Sequence, residues 1–226
     1  MKNLTQIDSA YNKSISDTYE SLKAVYYDID QNYTFDLSNT EITEAILQRL
    51  KTYYETQNNI KKFLDKRYLA AASDFFVEST LFFLKLYFKS VGGNLQAHSE
   101  RQIKKNRNAI RPDISIWESE EVIAIIECKT QLGWNRNNWE QQYNERDEKL
   151  KAVFPKAKSF LLVMTDMNWS GFDGNSRLRD SYFCLLKDSL PLDYSNKDQI
   201  FTPIEKLINR LYINDKSHDI RQNASS

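Results

Sequence analysis

Apolar side chains recur at Ile7, Tyr11, Ile15, Leu22, Tyr26 and Ile29. That spacing lays them along one face of a helix. The stretch YTFDLSNT (33–40) interrupts the pattern. Ser38 and Glu41 then stand at capping-box spacing, which predicts Ser38 as N-cap and Glu41 at the third helical position. A second amphipathic helix follows through Ile42, Ile46, Leu50, Tyr53, Ile60 and Leu64. A third is expected over 68–90, stopped by Gly92-Gly93.

Beyond residue 93 the period changes. Strands are expected over 94–103, 111–117 and 121–128. A helix is expected over 137–154, with Trp139, Tyr143, Leu150 and Phe154 as its apolar stripe and Pro155 after it. KSFLLVMT (158–165) and SYFCLLK (181–187) read as further buried strands, and a last helix spans about 203–213. Helices, a β-meander, a crossover helix and two more strands predict an α/β fold with a central mixed sheet flanked by helices. The expected divisions are an N-terminal helical section (1–66), a core (67–213) and a polar tail (214–226) that is expected to be disordered.

Composition narrows the function. Lys and Arg total 31 and so do Asp and Glu, giving zero net charge. A uniformly basic nucleic-acid binder is thereby excluded, but a local basic patch is not. Cys128 and Cys184 both lie in apolar runs, which fits buried thiols in a reducing compartment. The polar start MKNLTQIDSAYNK has no apolar signal core, and FFVESTLFFLKLYF (75–88) is too short to span a bilayer and contains Glu78 and Lys85. The expectation is a cytoplasmic protein without a membrane partner. The five glycines form neither GxxxxGK nor GxGxxG, so no nucleotide cofactor is expected. His98 and His218 are too far apart in sequence for a closely spaced zinc pair.

The chemistry concentrates in RPDISIWESEEVIAIIECKT (111–130). Glu118-Ser119-Glu120-Glu121 turns the two strands into an antiparallel hairpin, so Asp113 at the start of one meets Glu127 at the end of the other. Alternation along the strand points Glu127 and Lys129 to one face and Cys128 to the opposite one. The bland reading is an ion pair at a strand end. The sharper one follows from like charge: two carboxylates brought together call for a hard divalent cation. Beside it, Lys129 is placed to orient a water or to stabilise phosphorane charge.

Pro112-Asp113 followed by Glu127-Cys128-Lys129 at the end of an apolar strand resembles the PD-(D/E)XK nuclease superfamily, which has the restriction-endonuclease-like fold. The likeness covers roughly residues 70–190 by motif and element order, and is closest to a type II restriction endonuclease. It implies Asp113 and Glu127 as metal ligands, Lys129 as catalytic lysine and the Cys128 carbonyl as a further ligand. It also makes Glu78 a candidate ligand, although Asp74, Glu78, Lys85 and Lys89 share a helical face that could simply be solvated. The implied activity is a Mg²⁺-dependent endonuclease, with Mn²⁺ able to substitute, that cuts double-stranded DNA at a short palindromic site. The alternatives are a structure-specific repair or recombination nuclease, and a nucleic-acid-binding protein that does not cleave.

Arg101, Lys104, Lys105, Arg107 and Arg111 precede the motif, and Trp169, Arg177 and Arg179 lie in a later loop. The arginines and lysines are candidate DNA contacts, against the ordinary reading of solvated loops. Asn138, Gln141, Gln142 and Glu145 on the crossover helix either lean toward the site or face water. One D…E-x-K set gives one site per chain, so a double-strand break predicts a homodimer. The N-terminal stripe of Tyr11, Ile15, Tyr19, Leu22 and Tyr26 is its expected interface.

Overall fold

A computed structural model describes residues 2–103, 110–132, 138–167 and 171–212. The elements are α1 (Leu4–Asn32), α2 (Glu41–Phe63), α3 (Ser73–Ser90), β1 (Leu95–Ser99), β2 (Ile114–Glu118), β3 (Glu121–Lys129), α4 (Trp139–Lys151), β4 (Lys158–Thr165), β5 (Tyr182–Leu186) and α5 (Ile204–Tyr212). Two short 3-10 turns precede α5.

The five strands form one mixed sheet in sequence order. β1, β2 and β3 run antiparallel as a meander, and β3, β4 and β5 run parallel. The parallel β3–β4 step requires a crossover, which α4 supplies. This is the α/β architecture that the patterning predicts, with helices on both faces of a central mixed sheet.

Strand alternation divides the core between those faces. Ile114, Ile116, Ala124, Ile126, Cys128, Phe160, Leu162 and Phe183 pack against α2, α3 and α5. On the reverse face Leu161, Val163 and Tyr182 meet Trp139 and Tyr143 of α4, while Trp117, Val122 and Ile125 meet Leu150. Helix α2 belongs to the first of these cores through Ile42, Ile46, Leu47 and Leu50. The boundary expected at residue 66 therefore separates helices that share one interior.

The termini of the elements differ from the sequence expectation for local reasons. Strand β1 stops at Ser99 because Glu100 takes a left-handed backbone (φ 50). Helix α3 does end as predicted, with Gly92 at φ 65 just past its C-cap Val91. The capping box at Ser38 does not form, and Thr40 is the N-cap of α2. Asp36 captures both the Ser38 amide and hydroxyl at 2.8 Å each, so Ser38 closes a turn instead of opening the helix. A capping box does form at the start of α1, where Asn3 and Gln6 cap each other.

The first turn of α2 is completed from far along the chain. Glu205, buried at the start of α5, accepts from the Thr43 amide at 3.0 Å and the Thr43 hydroxyl at 2.6 Å. The same hydroxyl accepts from the Ile204 amide at 2.9 Å. Burial raises the Glu205 pKa, and its hydrogen bonds from Thr43 oppose that shift.

Helix α1 is unlike the other helices. Leu22, Tyr26 and Ile29 seat its C-terminal half on the core, and Lys89 of α3 pairs with Asp30. Every residue from Lys2 to Glu20 is exposed.

Candidate active site

Strand β3 lies between an antiparallel and a parallel neighbour, and its last residues are Glu127, Cys128 and Lys129. Ile126 and Cys128 point into the core under α3. Glu127 and Lys129, of opposite parity, project on the α4 face beside Leu161 and Val163 of β4. Burial pushes the Cys128 thiol well up, so it is an inert core thiol.

Asp113 stands immediately before β2, where β2 is paired with the end of β3 through Ile114 and Ile126. Its Oδ2 accepts the Cys128 amide at 2.8 Å, a donor at the very end of β3. Lys129 Nζ lies 3.4 Å from Asp113 Oδ2 and 3.5 Å from Glu127 Oε2. The hairpin thus brings together the acid, acid and lysine expected to meet.

The environments of the two carboxylates differ. The Glu127 side chain is only 6% exposed and that of Asp113 30%. Burial raises the Glu127 pKa and the Asp113 charge raises it further, while Arg146 and Lys129 oppose the rise. A buried carboxylate beside a like charge requires cations, and here two protein cations supply them.

Arg146 is the residue that the sequence reading missed. It projects from α4 and its Nη1 bonds Glu127 Oε1. Trp139, Tyr143 and Leu150 hold α4 against the sheet, and Arg146 occupies the remaining slot of that period, between Tyr143 and Leu150. A cation inside an otherwise apolar stripe was the available signal.

Glu78 is not brought to this group. It is exposed on α3, which covers the opposite face of the sheet, and its charge acts on Arg49 of α2. Among the described residues no three or more His, Cys, Asp or Glu gather as a metal-binding group. Among the described residues, the carboxylates at hand for a divalent cation at this group are those of Asp113 and Glu127. That set suits Mg²⁺, which keeps several waters and is held by one or two carboxylates plus substrate oxygens.

The candidate DNA contacts fall into several environments. Arg101 is half-buried, with its guanidinium 3.8 Å from the Trp117 ring centroid and a nitrogen 3.1 Å from His98 Nε2. Arg111 and Arg179 are exposed, the latter at φ 67. Arg177 fastens its loop to α4, donating to Asn144 Oδ1 at 2.7 Å and the Tyr182 hydroxyl at 2.6 Å. Lys104, Lys105, Arg107 and Trp169 lie outside the described residues. On α4, Gln141 and Glu145 are exposed and bonded to each other. Among the described residues no helix is long and apolar enough to cross a membrane.

No family model matches the sequence, and no curated protein matches it. Among solved structures the chain is similar to one from the native BbvCI A2B2 tetramer determined at low resolution. The identity is 15%, over 85% of this chain and 93% of that one, at a TM-score of 0.32. That likeness is too slight to decide between folds.

Proposed function

We propose that the protein is a Mg²⁺-dependent DNA endonuclease of the PD-(D/E)XK type, acting as a type II restriction enzyme. The observation that carries this reading is the convergence of Asp113 and Glu127 on the Lys129 ammonium at the end of the central strand. Asp113, Glu127 and the Cys128 carbonyl would hold the metal. Bound there, the metal would supply Lewis-acid polarisation of a phosphoryl oxygen and a lowered pKa for a water on it. Lys129, half-exposed between the carboxylates, orients the attacking water or meets charge developing on the phosphorus oxygens. The Asp113–Cys128 hydrogen bond fixes the carboxylate of one strand to the backbone of the other, so the pair is set before substrate arrives. Exposed Arg111 and Arg179 are proposed phosphate contacts.

Incubation of the full chain with mixed-sequence DNA and Mg²⁺, with an EDTA control, tests this. Discrete fragments are the expected result. A smear would mean a nuclease without sequence preference, and DNA left intact would overturn the reading. The Glu127–Arg146 pairing favours a second reading, a DNA-binding protein without cleavage, which the intact-DNA outcome would support if the DNA were also retarded in a gel.

The proposal includes a homodimer joined through α1. Leu4, Ile7, Tyr11, Ile15 and Tyr19 are 81%, 64%, 63%, 58% and 62% exposed, and they extend the same stripe that Leu22, Tyr26 and Ile29 seat on the core. The free part is about 24 Å long, and an isolated helix of that length is marginal in water. Burying these five side chains in both copies would remove roughly 1,000 Å² from water, the lower bound of a specific interface. In an antiparallel pair with its axis at Tyr11, Ile7 meets Ile15, Tyr11 meets itself and Asp8 falls opposite Ser14, so like charges stay apart. Facing Cα atoms then come within about 5–6 Å, inside disulfide reach. Tyr11→Cys is expected to cross-link to a dimer under oxidised glutathione and Leu4→Cys is not, since native Cys128 and Cys184 are buried. A wild-type chain that sediments as a monomer at roughly 100 µM would overturn the dimer.

A further inference from the structure

Both oxygens of Glu127 face a protein cation. Oε1 is bonded to the Arg146 guanidinium and Oε2 lies 3.5 Å from the Lys129 ammonium, which also reaches Asp113. Two carboxylates and two cations leave the group formally neutral. A divalent ion entering between Asp113 and Glu127 therefore meets occupied oxygens, not an open acidic cavity.

The two cations are held differently. Lys129 belongs to β3, the strand that carries Glu127 itself. Arg146 arrives from another element, on a helix whose Trp139, Tyr143 and Leu150 are buried against the sheet. The backbone of α4 is thus pinned, and only the long Arg146 side chain is free to swing. Its side chain is 43% exposed, so the guanidinium has an open path to solvent from its position on Glu127.

We propose that Arg146 is an internal counter-ion for the metal-free chain. It occupies the Glu127 oxygen that a divalent cation requires and yields it when the cation binds. The inference rests on the nuclease reading and adds a regulatory step to that site. Metal binding becomes an exchange of one cation for another. It lowers the apparent metal affinity by the strength of the ion pair it must break. The displaced guanidinium is left beside the site, with the planar donor geometry suited to a phosphate oxygen. In the absence of metal the same contact keeps a buried carboxylate compensated, so the carboxylate pair is stable while it waits.

The test uses the full chain without DNA and titrates Mg²⁺ alone by calorimetry. Arg146→Met keeps the side-chain stem and removes the competitor, and is expected to tighten Mg²⁺ binding about tenfold, with Arg146→Lys intermediate. The metal-free Arg146→Met chain is expected to melt below wild type, and saturating Mg²⁺ to narrow that gap. A purely structural arginine would lower the melting point without raising metal affinity. Equal or weaker Mg²⁺ binding by Arg146→Met would overturn the counter-ion role alone. Absence of Mg²⁺ binding in both wild type and variant would overturn the nuclease reading together with it. Should Arg146→Met fail to fold, Arg146→Lys alone decides: unchanged affinity overturns the role.

Discussion

Replacing Asp113 by Asn is expected to reduce DNA cleavage by at least about a thousandfold while leaving the fold intact. The carboxylate has two separable tasks. Its Oδ2 accepts the Cys128 amide, which ties the start of β2 to the end of β3, and on the nuclease reading its charge would be offered to the metal. Asparagine keeps an oxygen for the first task and loses the charge needed for the second. Asp113→Ala loses both. It leaves the Cys128 N–H without its acceptor, at a cost of about 1–3 kcal/mol in addition to lost activity. Chemical denaturation and a cleavage assay on the two variants separate these effects. An Asp113→Asn chain that cuts at close to the wild-type rate would remove Asp113 from the ligand set.

Lys129→Met is expected to slow cleavage by roughly 100- to 1,000-fold while DNA binding in Ca²⁺ stays close to wild type. The lysine lies 3.4 and 3.5 Å from the two carboxylates, and its proposed task is at the transition state. A second effect follows from position. Without the ammonium, Asp113 and Glu127 face each other with only Arg146 to offset them, so the metal-free variant is expected to gain more thermal stability from Ca²⁺ than wild type does. Gel retardation in Ca²⁺, cleavage in Mg²⁺ and melting with and without metal read the three effects. Loss of DNA binding in step with cleavage would instead make Lys129 a ground-state phosphate contact.

The residues of this site were legible to different degrees, and the reason is the range over which each is determined. The hairpin needs only a local turn and two apolar runs, so Asp113, Glu127 and Lys129 could be brought together from spacing alone. The sidedness of Cys128 follows from strand alternation. Arg146 could not be placed that way. Its slot on α4 is visible in the period of Trp139, Tyr143 and Leu150, but its partner depends on how the crossover helix lies across the sheet. Glu78 illustrates the reverse error. The family resemblance suggested an acidic ligand on the helix before the hairpin, whereas α3 covers the other face. Local competition misled the reading of Ser38, because Asp36 captures its hydroxyl before the helix can. Thr43 and Glu205 were illegible because no pattern within either helix encodes a hydrogen bond between residues 162 positions apart.

That clasp between α2 and α5 bears on when the protein becomes competent. A chain made from its N-terminus exposes α2 early, with the Thr43 amide and hydroxyl lacking their acceptor until Glu205 has emerged. Contacts of such long separation close late, after loop entropy has been overcome. A message broken before the Ile204 codon still encodes Asp113, Glu127 and Lys129, yet its product lacks Ile204, Leu207, Ile208 and Leu211 from the core under the sheet. Such a fragment, missing part of the interior beneath β3, is expected to be degraded by proteases. On the proposed nuclease reading, whose activity would endanger the DNA of its own host, α5 must be made before the site stands in a completed fold.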